Sequence, residues 1–306
     1  MPETVLTGLD GSNPLGFLAA LGILNVLADR GDAPKLAWRS GDWRAIVTDG
    51  TVADREELLT HLSDDVATWR GDPCLELKYA KGGRQAKQSW DLKPPPHEFR
   101  SYLERLVGGS ESRRRRAVDF ATAFATETAR DNNGNTKPTA LHFTAGQQQF
   151  LEMVAQLRDA VTRDDLEEAV FGPWRYERAL PVLGWDCSAT RLYALRADDP
   201  SKAEKRGVPG ADWLAFRGLS FIRVASIGTQ IATTGCSGGW KTGTFCWPLW
   251  DIGLTRESVH VVVQMADLPQ LPEDDRLARG ICGMFACGIR RSEQGGYGSF
   301  APAAAV

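Results

Sequence analysis

An apolar run that follows an Asn-Pro pair near the start of the chain limits its folding more than any other feature. Asn13 can accept a hydrogen bond from the free amides of a first helical turn, and Pro14 fits that turn because no donor is needed there. The pair therefore predicts a helix from Pro14 to about Arg30. Leu15, Phe17, Leu18, Leu21, Ile23, Leu24, Val26 and Leu27 cover most of its circumference, so the helix must be buried nearly all round. Gly16, Ala19, Ala20 and Gly22 would admit a second backbone at close range. The stretch Leu15 to Leu27 is too short for a bilayer and is interrupted by Gly16, Gly22 and Asn25. Glu3 and Asp10 stand where a signal peptide would carry Lys or Arg. Six cysteines without a CxxC pair read as reduced thiols. The expectation is a cytoplasmic protein with no membrane contact.

A chain of 306 residues with 42% hydrophobic side chains has enough apolar material for one large core or two. Short β-like runs at Lys35–Arg39 and Arg44–Val47 read as a hairpin around Ser40, Gly41 and Asp42. Helical spacing marks Asp54–Trp69, His97–Val107, Arg114–Thr126 and Thr144–Val161, with a short helix capped by Asp164. Cys74–Ala80 alternates as a strand, and Asp131–Pro138 reads as an Asn-rich loop. Beyond Pro173 the texture turns to β, with strand candidates at Arg191–Leu195, Trp213–Arg217, Phe221–Ala225, Thr229–Thr233, Phe245–Trp250 and Ile281–Arg290. Val259–Met265 fits helix or strand. Without a strand-helix rhythm or a repeat, the fold class is α+β, a mixed or antiparallel sheet around the buried N-terminal helix. Two lobes are expected, residues 1–135 carrying a basic loop region and residues 136–306 helical and then β-rich.

The net charge of −3 hides a strong asymmetry. Between Arg70 and Arg116 twelve Lys or Arg face six acids, a local +6 that leaves −9 for the rest. Lys78, Lys81, Arg84 and Lys87 recur about every three residues, Lys93 follows, and Arg113, Arg114, Arg115 and Arg116 are consecutive. Such clustering is the footprint of a phosphate-backbone binder, and a merely solvated cationic loop is the alternative. A second stretch, Arg191–Arg223, has seven cations against four acids, interleaved with Tyr193, Trp213, Phe216 and Phe221. Those rings could stack on bases or belong to the core.

Catalytic signatures are weak. Gly235–Thr242 reads GCSGGWKT, which ends like a phosphate-binding loop, but Trp240 occupies the second glycine's place and no strand-to-helix transition surrounds it. A glycine-rich hairpin presenting Trp240 and Lys241 fits better. His61, His97, His142 and His260 stand apart, and Cys282 and Cys287 fall on opposite faces of a strand, so neither a metal nor a cofactor is called for. The enzymatic rival is a Mg²⁺ nuclease of the PD-(D/E)xK kind using Glu76 and Lys78, which lacks a well-placed upstream acid.

Three stretches, LTGLDGSNPLGFLAALGILNVL, LYALRADDPSKAEKRGVPGADWLAFRGL and RRSEQGGYGSFAPA, resemble proteins of subtype I-G (formerly I-U) CRISPR loci, large-subunit-like or accessory. That resemblance implies a non-catalytic, nucleic-acid-binding subunit of an antiviral effector complex, with other effector subunits, guide RNA and target DNA as partners and cleavage left to a separate helicase-nuclease. The alternatives are the nuclease and an adaptor that docks the helicase-nuclease. Residue chemistry assigns phosphate contact to Lys78, Lys81, Arg84, Lys87 and Arg113–Arg116. A second groove falls to Lys202, Lys205, Arg206 and Arg217, and a wedge or reader role to Trp240 and Lys241.

Overall fold

In the computed structural model the apolar helix is the centre of the molecule. The described residues are 3–31, 33–48, 54–82, 87–108, 111–144, 147–188, 205–291 and 298–306. Strand β1 (Glu3–Asp10) leads into α1 (Pro14–Asp29), where Asn13 Oδ1 accepts from the Leu15 amide at 3.0 Å and every residue from Pro14 to Leu27 is buried. Its partner is α7 (Pro209–Gly218), also buried throughout. A methyl group at Gly22 would overlap the Leu214 carbonyl, and one at Gly218 would overlap that of Leu18, so the two backbones touch. The strand expected at Trp213–Arg217 lies within α7. With all ten residues of α7 buried, no solvent face survives to betray a helical period; Pro209 in its first turn is the signal that marks it.

Among the described residues every strand pair is antiparallel, and these sheets combine with helices in an α+β fold. β1 joins the expected hairpin, β2 (Lys35–Trp38) and β3 (Arg44–Thr48), in the order β1-β3-β2. A second sheet comprises β10 (Cys236–Gly238), β11 (Gly243–Trp250), β12 (Ile281–Arg291), β13 (Gly298–Phe300) and β14 (Ala304–Ala305). Tryptophans lock it to the first: Trp247 and Trp250 donate to the Gly11 and Leu36 carbonyls, each at 2.7 Å, and Phe17 of α1 packs 5.9 Å from the Trp38 ring centre.

Around this centre lie α2 (Arg55–Thr68), α3 (Pro96–Val107), α4 (Glu111–Phe124), α5 (Phe150–Ala160), α6 (Arg163–Phe171), α8 (Arg256–Val263) and the short α9 (Glu273–Leu277). Three hairpins project from it: β4 (Tyr79–Lys81) with β5 (Lys87–Ser89), β6 (Ala125–Arg130) with β7 (Thr136–Pro138), and β8 (Val224–Ile227) with β9 (Gln230–Thr233). Of Val259–Met265, the part up to Val263 is helical, as the end of α8. The cap of α6 is Thr162, not Asp164, because Thr162 and Asp165 bond reciprocally in a capping box. The strand candidate Arg191–Leu195 lies outside the described residues. Buried apolar side chains form one cluster from Leu6 to Phe300, and the boundary expected at 135/136 falls at the turn of the β6–β7 hairpin.

Candidate nucleic-acid interface

The cations singled out in the sequence separate into two environments. In the first, arginines meet carboxylates. Arg217 is 1% exposed: its Nε and Nη2 reach Asp65 at 2.9 and 3.0 Å, and Nη2 also reaches Asp29 at 2.9 Å. Arg116 donates to Asp72 at 3.2 Å and Asp29 at 3.4 Å, and Arg256 to Asp29 at 2.8 Å. The guanidinium carbons of Arg217 and Arg116 stand 4.7 and 5.1 Å from the Trp69 ring centre. Burial raises the Asp29 pKa, yet Arg217, Arg116 and Arg256 together hold it below the usual carboxylate value. Arg217 therefore lines no groove: it is the buried tie between α1, α2 and α7. Arg115 pairs with Glu257 at 3.1 Å. Arg114 is exposed on α4. Arg113 belongs to the same helix, but its side chain lies outside the described residues.

The second environment is built differently. A groove of about 1070 Å³ runs between the β6–β7 turn, β9 and the β10–β11 hairpin. Trp240, in the β10–β11 turn, keeps 38% of its surface exposed there. Beneath it the Arg291 guanidinium lies 3.8 Å from the indole centre and 5.1 Å from that of Phe143. Among the described residues its bonds go to carbonyl oxygens, of Trp240 at 3.0 Å and of His142 and Ala140 at 2.7 Å each. Burial brings its pKa down to about 10, so it stays charged at neutral pH. Lys93 lies 5.9 Å from the same ring, and burial lowers its pKa, with Asp91 and Asp131 acting against Arg291 and Lys81.

The acids near this groove are already engaged. Asp91 bonds His142 at 2.7 Å and the Phe150 amide at 3.1 Å, and Asp131 Oδ1 accepts from the Asn133 and Asn135 amides at 2.9 Å each. Lys137 lines the wall and donates to the Thr229 carbonyl at 2.8 Å. Lys81 and Lys87 sit opposite each other in the β4–β5 register, and Lys81 is close enough to Lys93 to depress its pKa. Lys241 is exposed beside Trp240. The result is a stacking ring on a cationic support, with further cations spread around it.

Of the remaining assignments, Lys78 is bound within the protein, 2.8 Å from Glu76 and 4.2 Å from the Trp90 ring centre. Glu76 and Lys78 lie in the link between a 3₁₀ turn at Pro73–Leu75 and β4, not on the expected strand, because Asp72 caps that turn. Among the described residues no group of three or more His, Cys, Asp or Glu is placed to hold a metal ion. GCSGGWKT forms the β10–β11 hairpin rather than a strand-to-helix loop. Lys205 and Arg206 are exposed, Arg206 facing the Glu177 carbonyl at 3.4 Å; Arg84 and Lys202 lie outside the described residues. Trp213, Phe216 and Phe221 are core residues at 0% exposure. In the sequence nothing marks Lys137 or Arg291 for this groove, and Lys93 stands out only as part of the basic stretch. The three lie far apart along the chain, and only the fold brings them together. No helix among the described residues is long and apolar enough to cross a membrane. The chain matches no protein-family model, and no curated protein matches it.

Proposed function

We propose that this chain is a non-catalytic nucleic-acid-binding protein that grips a single strand in the groove under Trp240. The observation that carries the proposal is the Trp240–Arg291 stack, a part-exposed indole on a half-buried guanidinium that no carboxylate neutralises among the described residues. A base stacking on Trp240 would gain about 1–3 kcal/mol, and phosphates passing Lys93, Lys81, Lys87 and Lys241 would release counterions. Taken with the sequence resemblance, this fits a cytoplasmic subunit of a subtype I-G CRISPR effector complex that holds target DNA, displaced strand or guide RNA beside other subunits and leaves cleavage to a helicase-nuclease. Fluorescence anisotropy with labelled single-stranded DNA and RNA tests it. Trp240→Ala is expected to weaken binding by about tenfold. Wild-type protein that binds neither strand at low salt overturns it.

A further inference from the structure

A second cavity, of about 590 Å³, opens where the two ends of the chain meet, away from the groove. The GLDGSNP run supplies Gly8, Asp10, Ser12 and Asn13, and the closing SFAPA run supplies Pro302 and Ala303. We propose that this cavity binds one nucleotide unit, with the base against an aromatic wall, a ribose hydroxyl on Asp10 and the phosphate on Arg44.

The wall is held in place from below. Asp186, 6% exposed, accepts from Asn13 Nδ2, the Tyr176 hydroxyl and the Ser188 amide, each at 2.8 Å. Tyr176 has a φ of 57°, a left-handed conformation that costs an aromatic residue of order 1 kcal/mol and persists only where its surroundings impose it. Trp174 is fixed by its indole N–H on the Ala169 carbonyl at 3.0 Å and meets Tyr176 edge to face with ring centres 6.3 Å apart. Both residues line the cavity.

Among the described residues that line the cavity, the charged ones are Asp10 and Arg44. Asp10 Oδ1 takes the Ser12 amide and hydroxyl at 2.8 and 2.7 Å, which leaves Oδ2 without a donor among the described residues. Arg44 is opposite Asp10 in the β1–β3 register. Asp42 bonds the Arg39 side chain and accepts from the Arg44 amide at 3.4 Å, and the Arg39 hydrogen bond, with smaller contributions from Arg44, holds its pKa down at about 2. A guanidinium fork beside a free carboxylate oxygen matches a phosphate joined to a hydroxyl-bearing sugar. The cavity volume lies in the range of about 300–1000 Å³ usual for small-molecule sites.

Two sources share this chemistry, a free nucleotide and the 5′-phosphorylated end of a strand. The test is titration calorimetry of the intact protein with the four nucleoside 5′-monophosphates, their nucleosides and 5′-phosphorylated dinucleotides. Saturable binding tighter than about 1 mM is expected for at least one monophosphate or dinucleotide. Tighter binding of the dinucleotide assigns the site to a strand end, and equal binding assigns it to a free nucleotide. Arg44→Gln should weaken the phosphorylated ligand about tenfold and leave the nucleoside unchanged. Asp10→Asn should weaken ribo- more than deoxyribonucleotides, and Trp240→Ala should change nothing. Failure of every ligand to saturate, or equal affinity in wild type, Arg44→Gln and Asp10→Asn, overturns the proposal.

Discussion

Two clusters of cations in this molecule do opposite things, and the difference lies in what their charges face. Around Asp29, three arginines share carboxylates, Arg217 and Asp65 in the interior and Asp29 at its edge, and their charge-assisted hydrogen bonds among the described residues stay within the protein. Around Trp240, Arg291 spends its hydrogen bonds on carbonyl oxygens, which orient it without cancelling its charge. The first cluster ties helices together. The second holds a guanidinium against a part-exposed aromatic ring, with Lys93 and Lys137 along the same groove. Counting Lys and Arg along the chain cannot separate the two, because a cation's role depends on whether an acid reaches it.

The largest effect that would break this contrast is on stability. Arg217→Met leaves Asp65 buried without its partner and should cost about 3–5 kcal/mol in chemical denaturation, whereas Arg217→Met with Asp65→Leu should recover most of it. Full stability in the single variant would deny the arginine cluster its structural role.

A smaller effect concerns pH. Burial, followed by Arg223, Arg256 and Arg115, brings the His260 pKa down to about 4, so the native state keeps the ring neutral while the unfolded chain takes up a proton near 6.5. The unfolded state then binds more protons, so this contribution is complete above pH 6.5 and is lost as pH falls from 6.5 toward 4. His260→Gln should flatten the stability profile across that window. An unchanged slope would mean that burial and the neighbouring arginines do not keep a proton off this ring.

The smallest effect sharpens the boundary between the clusters. Arg115→Gln breaks an exposed pair with Glu257 and should change stability by no more than about 0.5 kcal/mol. Single-strand affinity, followed by anisotropy, should be unaltered.

Much of the frame was legible in the sequence, because local chemistry dictates it. Asn13 and Pro14 announce α1, its all-round apolarity announces its burial, and Gly22 announces the close approach of a second backbone. Trp213–Arg217 misled because a fully buried helix has no solvent face, and an arginine inside it looks like an outward-pointing charge. Of the groove, Trp240 and Lys241 were legible as the tip of a glycine-rich hairpin. Lys137 and Arg291 were not, since nothing near either residue in the chain foretells the ring that Arg291 lies beneath.

Salt dependence of single-strand binding tests the central claim most directly. The plot of log affinity against log salt should lose about 2 units of slope in a Lys81→Gln, Lys87→Gln, Lys241→Gln triple variant and keep its wild-type slope in Arg115→Gln. An unchanged slope in the triple variant, with a reduced slope in Arg115→Gln, would contradict the account.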